Sequence, residues 1–186
     1  MTLSLAWERT LNGNRTELVV ATDSRLSGGQ TWDCGPKIMT LPRSDSLICF
    51  AGETDYAYPL MMQMASAIEH YPKSRDRSYD LTDMKGHTVR VFNHMVDKVE
   101  DLPIGSNGSV EPETVFLLAG YSWKKKKFYI WLLHYDEHIQ KYTFRPASPW
   151  DGVDGYKKIM FAGDEVDSAK EKLIKKLRDE NKLESG

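Results

Sequence analysis

Chemistry could begin at the second residue of this chain. Methionine aminopeptidase removes an initiator methionine only when the next residue is small, so the opening Met1-Thr2-Leu3 is expected to mature to an N-terminal Thr2 carrying both a hydroxyl and a free α-amine. The two groups make a nucleophile and a base within one residue. An α-amine has a reference pKa of about 7.7–8.0, so near neutrality part of it is unprotonated and can take the hydroxyl proton directly or through one water. The alternative is an ordinary structural residue, since many chains open with Met-Thr for no catalytic reason.

Other reactive side chains are placed less suggestively. Cys34 and Cys49 match no CxxC spacing, and Cys49 sits in an apolar run that suits packing better than attack. None of the five histidines shows HExxH spacing. His134 and His138 flank Asp136 and Glu137 at an apparent hairpin tip, where water reaches the side chains and nothing closes a coordination shell. Neither a P-loop nor a GxGxxG occurs. No metal and no cofactor is expected.

The bulk properties narrow the partners. At 186 residues the chain is expected to form a single domain over 1–186. A net charge of −2, from 25 Lys plus Arg against 27 Asp plus Glu, supplies no field to draw a polyanion or an anionic bilayer, so neither nucleic acid nor membrane is expected as a partner. The basic run Lys124 to Lys127 lies between two apolar runs and reads as a hairpin turn held in water by its charge. No window has the ~18 uninterrupted apolar residues of a membrane span, and the N-terminus, with Glu8 early, lacks the layout of a secretory signal. With two cysteines in no disulfide pattern, a cytoplasmic location is expected.

The elements that must position Thr2 follow from periodicity. Thr2–Trp7 and Thr16–Thr22 are β-branched and apolar around the turn residues Asn12, Gly13 and Asn14, which predicts a hairpin. A Gly- and Ser-rich loop is expected from Ser27 to Pro36, then strands at Lys37–Leu41 and Ser46–Gly52. The latter, SLICFAG, is apolar at nearly every position, as in a strand covered on both faces. From Asp55 the spacing of Tyr58, Met61, Met62, Ala65 and Ile68 predicts a helix to His70, before Pro72. A second helix is expected from Thr82, with Val89, Phe92, Val96 and Val99 as its stripe and Pro103 as its stop. Strands follow at Thr114–Tyr121, Phe128–Tyr135 and His138–Phe144. After a loop containing Pro146, Pro149, Gly152 and Gly155 come a strand at Lys157–Gly163 and a helix over Val166–Leu183. This order argues an α+β fold whose sheets are buried under helices.

In order and spacing, four segments resemble the proteasome β-subunits and the HslV peptidase: TLSLAW from Thr2, VVATDSRLSGGQT with Asp23, GPKIMTL with Lys37, and ICFAGETD with Gly52. The resemblance implies a four-layer αββα sandwich of the N-terminal-nucleophile (Ntn) hydrolase type. It implies that Thr2 is the nucleophile, that Lys37 lowers the pKa of the hydroxyl and the amine, that Asp23 holds Lys37, and that the Gly52 N–H donates to the oxyanion, with no Cβ in the way. By the same resemblance Ser27 and Phe50 line a cleft in which a polypeptide substrate adds as a strand. The alternatives are an ordinary surface ion pair for Asp23 and Lys37, and a simple strand-ending turn for Gly52.

Two departures stand beside this. Where the family has a Ser after the later strand's glycine, this chain reads IMFAGDEVD, which places Asp164 next to the nucleophile's amine, and a carboxylate there would raise the amine's pKa and keep it protonated. The family also continues with another helix and two strands. The expected function is a threonine protease subunit of a homo-oligomeric ring, with an ATP-dependent unfoldase as a partner. The alternative is an inactive subunit that serves as a ring-forming or partner-binding scaffold.

Overall fold

A computed structural model describes residues 2–11, 15–28, 30–99, 112–148 and 156–179. The chain opens with β1 (Leu3–Thr10) and β2 (Thr16–Thr22), paired antiparallel from Ser4 opposite Thr22 to Thr10 opposite Thr16. The turn residues 12–14 lie outside the described residues. In place of the expected Gly/Ser loop, a short ribbon forms from β3 (Leu26–Gly28) and β4 (Gln30–Trp32). Its base is closed by an Arg25–Asp33 ion pair at 2.7 Å and by a hydrogen bond of 2.8 Å from Ser24 Oγ to the Asp33 carbonyl. Then come β5 (Ile38–Thr40) and β6 (Ser46–Gly52).

Two main helices cover the next stretch. α1 (Thr54–His70) buries Ala57, Leu60, Met61, Met64 and Ile68. The buried face is therefore turned from the predicted one, since Met62 is 63% exposed. A one-turn helix that the sequence reading omitted, α2 (Pro72–Arg75), starts on Pro72, where the missing N–H is no loss. α3 (Leu81–Val96) buries Leu81, Met84, Thr88 and Phe92. It ends before Val99, which is 46% exposed, so that residue drops out of the stripe. Pro103 lies outside the described residues.

Asp80 caps α3. Its carboxylate is buried, and it accepts from Thr82 N at 3.0 Å, Thr82 Oγ1 at 2.7 Å, Ser122 Oγ at 2.8 Å and Lys124 N at 3.3 Å. One side chain thus satisfies the helix start and pins it to the strand turn beyond. Burial alone would raise its pKa, yet these bonds bring it down to about 2.

The remaining strands are β7 (Thr114–Ser122), β8 (Lys127–Asp136), β9 (Lys141–Pro146) and β10 (Tyr156–Gly163), and the last described element is α4 (Val166–Asp179). The β7–β8 turn contains Lys124 to Lys126, with Lys126 at φ 52°. The next turn is longer than predicted: His138 lies within it, and β9 begins only at Lys141, after Gln140 at φ 51°. Pro149, Gly152 and Gly155, and the predicted end of the last helix at Leu183, lie outside the described residues.

Pairing is antiparallel throughout, in a sheet ordered β10-β1-β2, a sheet ordered β5-β6-β7-β8-β9, and the β3-β4 ribbon. Strand β6 shows how the larger sheet carries two cores. Its odd and even residues point to opposite faces: Ile48 and Phe50 join Phe116, Leu118, Trp131 and Leu133 against α1 and α3, whereas Cys49 and Ala51 join Leu117, Ala119 and Ile130 against Ala6 and Ala162 of the smaller sheet. Large side chains fill the helix side. On the other side the alanines and Cys49 among the larger residues let the two sheets approach, which brings the start of β1 against the end of β6. The outer face of the smaller sheet is less covered than expected, with every described residue of β2 only half-buried. Among the described residues no helix is long and apolar enough to cross a membrane.

Candidate active site

Thr2 sits just ahead of β1 and is 6% exposed. Three successive residues there are each tied to a different element. The Thr2 nitrogen donates to Asp164 Oδ2 at 3.1 Å, and the Asp164 N–H returns a bond to the Thr2 carbonyl at 3.1 Å. The Leu3 N–H donates to Asp23 Oδ1 at 2.9 Å, and the Asp23 N–H donates to the Leu3 carbonyl at 3.1 Å. The Ser4 hydroxyl donates to the Phe50 carbonyl at 2.7 Å. The nucleophile candidate is therefore fixed by β2's exit, β6 and β10's exit together.

Lys37 completes the group. It stands immediately before β5, is 2% exposed, and its Nζ donates to Thr2 Oγ1 at 3.3 Å and to Asp23 Oδ2 at 2.9 Å. Its main chain is held from two sides: the Phe50 N–H donates to the Lys37 carbonyl at 3.2 Å, and the Tyr58 hydroxyl of α1 donates to the Pro36 carbonyl at 2.9 Å. The Phe50 ring faces the ammonium at 6.0 Å, a cation–π distance. Burial would raise the Asp23 pKa, but its bonds from Lys37, Leu3 and Arg25 outweigh this and hold it below the usual carboxylate range. A lysine so enclosed rules out the surface ion pair that was the alternative for Asp23 and Lys37.

The two glycines at strand ends have one explanation. Gly52 and Gly163 adopt φ of 109° and 127°, outside the range an L side chain favours. A Cβ on Gly52 would strike the Glu113 carbonyl, and one on Gly163 would strike the carbonyl of Thr2. At Gly52 the close neighbour in the Cβ direction is the chain's own Glu113 carbonyl at the entry to β7, which by itself requires glycine there. Both strands end in Phe-Ala-Gly, ICFAG and IMFAG, and that repeat was the signal that could have marked Gly163 beside Gly52.

Phe50 also needs correction as a cleft residue. It is 0% exposed and packs edge-on against Tyr58 with ring centroids 5.4 Å apart, so its ring forms the floor under Lys37 instead of an open wall. Ser27 lies in β3, on the loop that starts at Asp23 and returns at Lys37. Sequence reasoning missed Ser4 and Tyr58, whose hydroxyls bond to main chain far away and leave no local pattern. A cavity of about 540 Å³ opens beside Gly163, with Ala162, Val166, Asp167, Lys170 and Arg145 on its walls. A larger one of about 770 Å³, around Arg43 and Asp45, touches none of the candidate site residues. Among the described residues no group of three or more His, Cys, Asp or Glu could hold a metal ion.

No family model and no curated protein matches the sequence. Among solved structures the fold is similar to a chain from the helical assembly of the Anbu complex from Pseudomonas aeruginosa, with a TM-score of 0.62 and 14% identity over 88% of this chain and 61% of that one. This chain thus spans about three fifths of the Anbu chain's length. At that identity the likeness is one of fold. It corrects the resemblance to proteasome β-subunits and the HslV peptidase: the order of threonine, acid, lysine and glycine follows the order of the strands that carry them, and it does not place the chain among those enzymes.

Chemically, the arrangement sets one buried hydroxyl against one buried ammonium, with a carboxylate behind each of the two nitrogens that flank it. A hydroxyl that accepts from an ammonium is easier to ionise, because the oxyanion it becomes is already solvated by a fixed charge.

Proposed function

We propose that this chain is an N-terminal-threonine amidohydrolase with the four-layer αββα architecture of Ntn hydrolases, folded as one domain and active once Met1 has been removed. The observation that carries this is the 3.3 Å contact between Lys37 Nζ and Thr2 Oγ1 in a site where both residues are buried and Asp23 holds the lysine. Loss of Met1 turns the Thr2 nitrogen into an amine. The hydroxyl oxygen then attacks an amide carbonyl while its proton passes to the amine, directly or through a water. The tetrahedral intermediate expels the leaving nitrogen, which takes that proton, and leaves an ester on Thr2. Water cleaves the ester, returning the hydroxyl and releasing a carboxylic acid. In this scheme Lys37 stabilises the developing oxygen anion, Asp23 fixes Lys37, and the Gly52 N–H serves the substrate oxyanion.

The substrate proposed is a polypeptide, and the working unit a homo-oligomer in the cytoplasm. The similar Anbu chain belongs to a helical assembly, which supports self-association. A second reading is an assembly subunit without catalysis, and one observation favours it: Asp164 Oδ2 lies 3.1 Å from the Thr2 nitrogen, and a carboxylate there stabilises the ammonium that cannot act as a base.

Hydrolysis of a fluorogenic peptide by protein whose intact mass shows Met1 removed separates the two. Under the enzymatic reading hydrolysis is measurable and falls to background in Thr2→Ala. Activity that persists in Thr2→Ala removes Thr2 from the chemistry.

A further inference from the structure

We infer that Ser4 is a positioning residue of this site, setting the distance between the Thr2 hydroxyl and Lys37 through the main chain of Phe50. The inference rests on the reading of Thr2 as nucleophile. Ser4 is fully buried, and its hydroxyl donates at 2.7 Å to the Phe50 carbonyl across the gap between the two sheets. The Phe50 N–H donates in turn to the Lys37 carbonyl at 3.2 Å. One residue of β6 therefore faces the nucleophile's strand with its acceptor and the lysine's strand with its donor. With Lys37 Nζ on Thr2 Oγ1 at 3.3 Å, the path Thr2–Ser4–Phe50–Lys37 closes into a ring of contacts.

Away from this end the sheets meet largely through apolar groups, Ala6, Ala51, Ala162 and Cys49 among them, with Lys158 of β10 donating to the Phe128 carbonyl of β8 at 3.2 Å. Apolar contacts are non-directional and tolerate a slide of one sheet on the other, whereas a hydrogen bond weakens steeply with displacement and angle. Ser4 is thus the group on β1 that can fix register at this end, where a shift of part of an ångström changes the Lys37 to Thr2 distance. The Cys49 thiol beside it is no substitute, because burial pushes its pKa up to about 12 and it stays a weak, neutral donor. Asp164 holds Thr2 from its own sheet's side; Asp23 holds Leu3 there and reaches across to the end of the Lys37 side chain, whereas Ser4 bonds the main chain of the facing sheet.

The test measures the rate at which an electrophilic threonine probe labels Thr2 in Met1-processed protein, with melting temperature recorded alongside. Ser4→Ala is expected to label about 10-fold more slowly, since small misplacements of a reacting group carry penalties of this order or larger, while Ile130→Val, a packing change in the same intersheet core, labels at the parent rate even where it lowers stability as much. Labelling of Ser4→Ala within about two-fold of the parent, or equal slowing in both variants, overturns the inference and leaves Ser4 a packing residue. Should Ser4→Ala not fold, Ser4→Thr and Ser4→Cys take its place: the retained hydroxyl is expected to label several-fold faster than the weaker thiol donor, and equal rates overturn the proposal. An unlabelled parent with Met1 removed fails at Thr2 itself, which is a failure of the functional reading and takes this inference with it; a labelled parent with an unaffected Ser4→Ala fails here alone.

Discussion

The proposed chemistry turns on two nitrogens placed around one hydroxyl. Lys37 is enclosed and held by Asp23, and the Thr2 nitrogen is held by Asp164. Replacing Lys37 with methionine keeps the volume and removes the charge, and is expected to lower peptide hydrolysis by about 10²–10³-fold, in line with loss of one fixed oxyanion partner. It also takes the Lys37 bond from the Asp23 carboxylate and leaves it those from the Leu3 and Arg25 N–H groups. Asp164→Ser is expected to act in the other direction. Removing a carboxylate from beside the amine lowers the amine's pKa, so the acid limb of the rate profile should move to lower pH; a profile that does not move would show that Asp164 does not govern the base.

At the scale of elements, the structure depends on strand ends and one cap. Gly163→Ala places a methyl against the Thr2 carbonyl at a φ of 127°, and about 2–4 kcal/mol of destabilisation is expected from backbone strain and displacement together. Asp80 makes a separate prediction. Its folded pKa of about 2 lies below the ordinary carboxylate value, so its contribution is fully present above pH ~4 and is lost as pH falls toward about 2. Acid titration of Asp80→Ala should therefore show a shallower loss of stability in that window than the parent, on top of about 1–2 kcal/mol lost at neutral pH from the missing cap.

Much of this layer was legible in the sequence. SLICFAG read as a strand covered on both faces and is one, because its two faces feed two cores. The order of Thr2, Asp23, Lys37 and Gly52 along strand ends was also readable, though it was readable as fold and carried too far as family. What was not legible has physical causes. The β3–β4 ribbon is closed at its base by contacts of Asp33 with Arg25 and Ser24, which no strand pattern in the sequence marks. The α1 face turned because the helix must meet the sheet and α3 at once, which no single periodic stripe reveals. Phe50 reads the same from sequence whether it lines a cleft or lies beneath one.

For the whole molecule, two sheets of unequal width pack against one another, and the site lies where their strands end. The proposal that the chain self-associates is tested by sedimentation velocity over a range of protein concentrations, which should show species larger than the 21.3 kDa chain; a single species at that mass across the range would count against assembly. The central claim, however, concerns the first described residue. Its most direct test is peptide mapping by mass spectrometry after treatment with an electrophilic threonine probe. The account predicts that Met1 is absent and that the probe's mass sits on Thr2, with the adduct lost in Lys37→Met. Protein that lacks Met1 yet carries no adduct on Thr2 would contradict it.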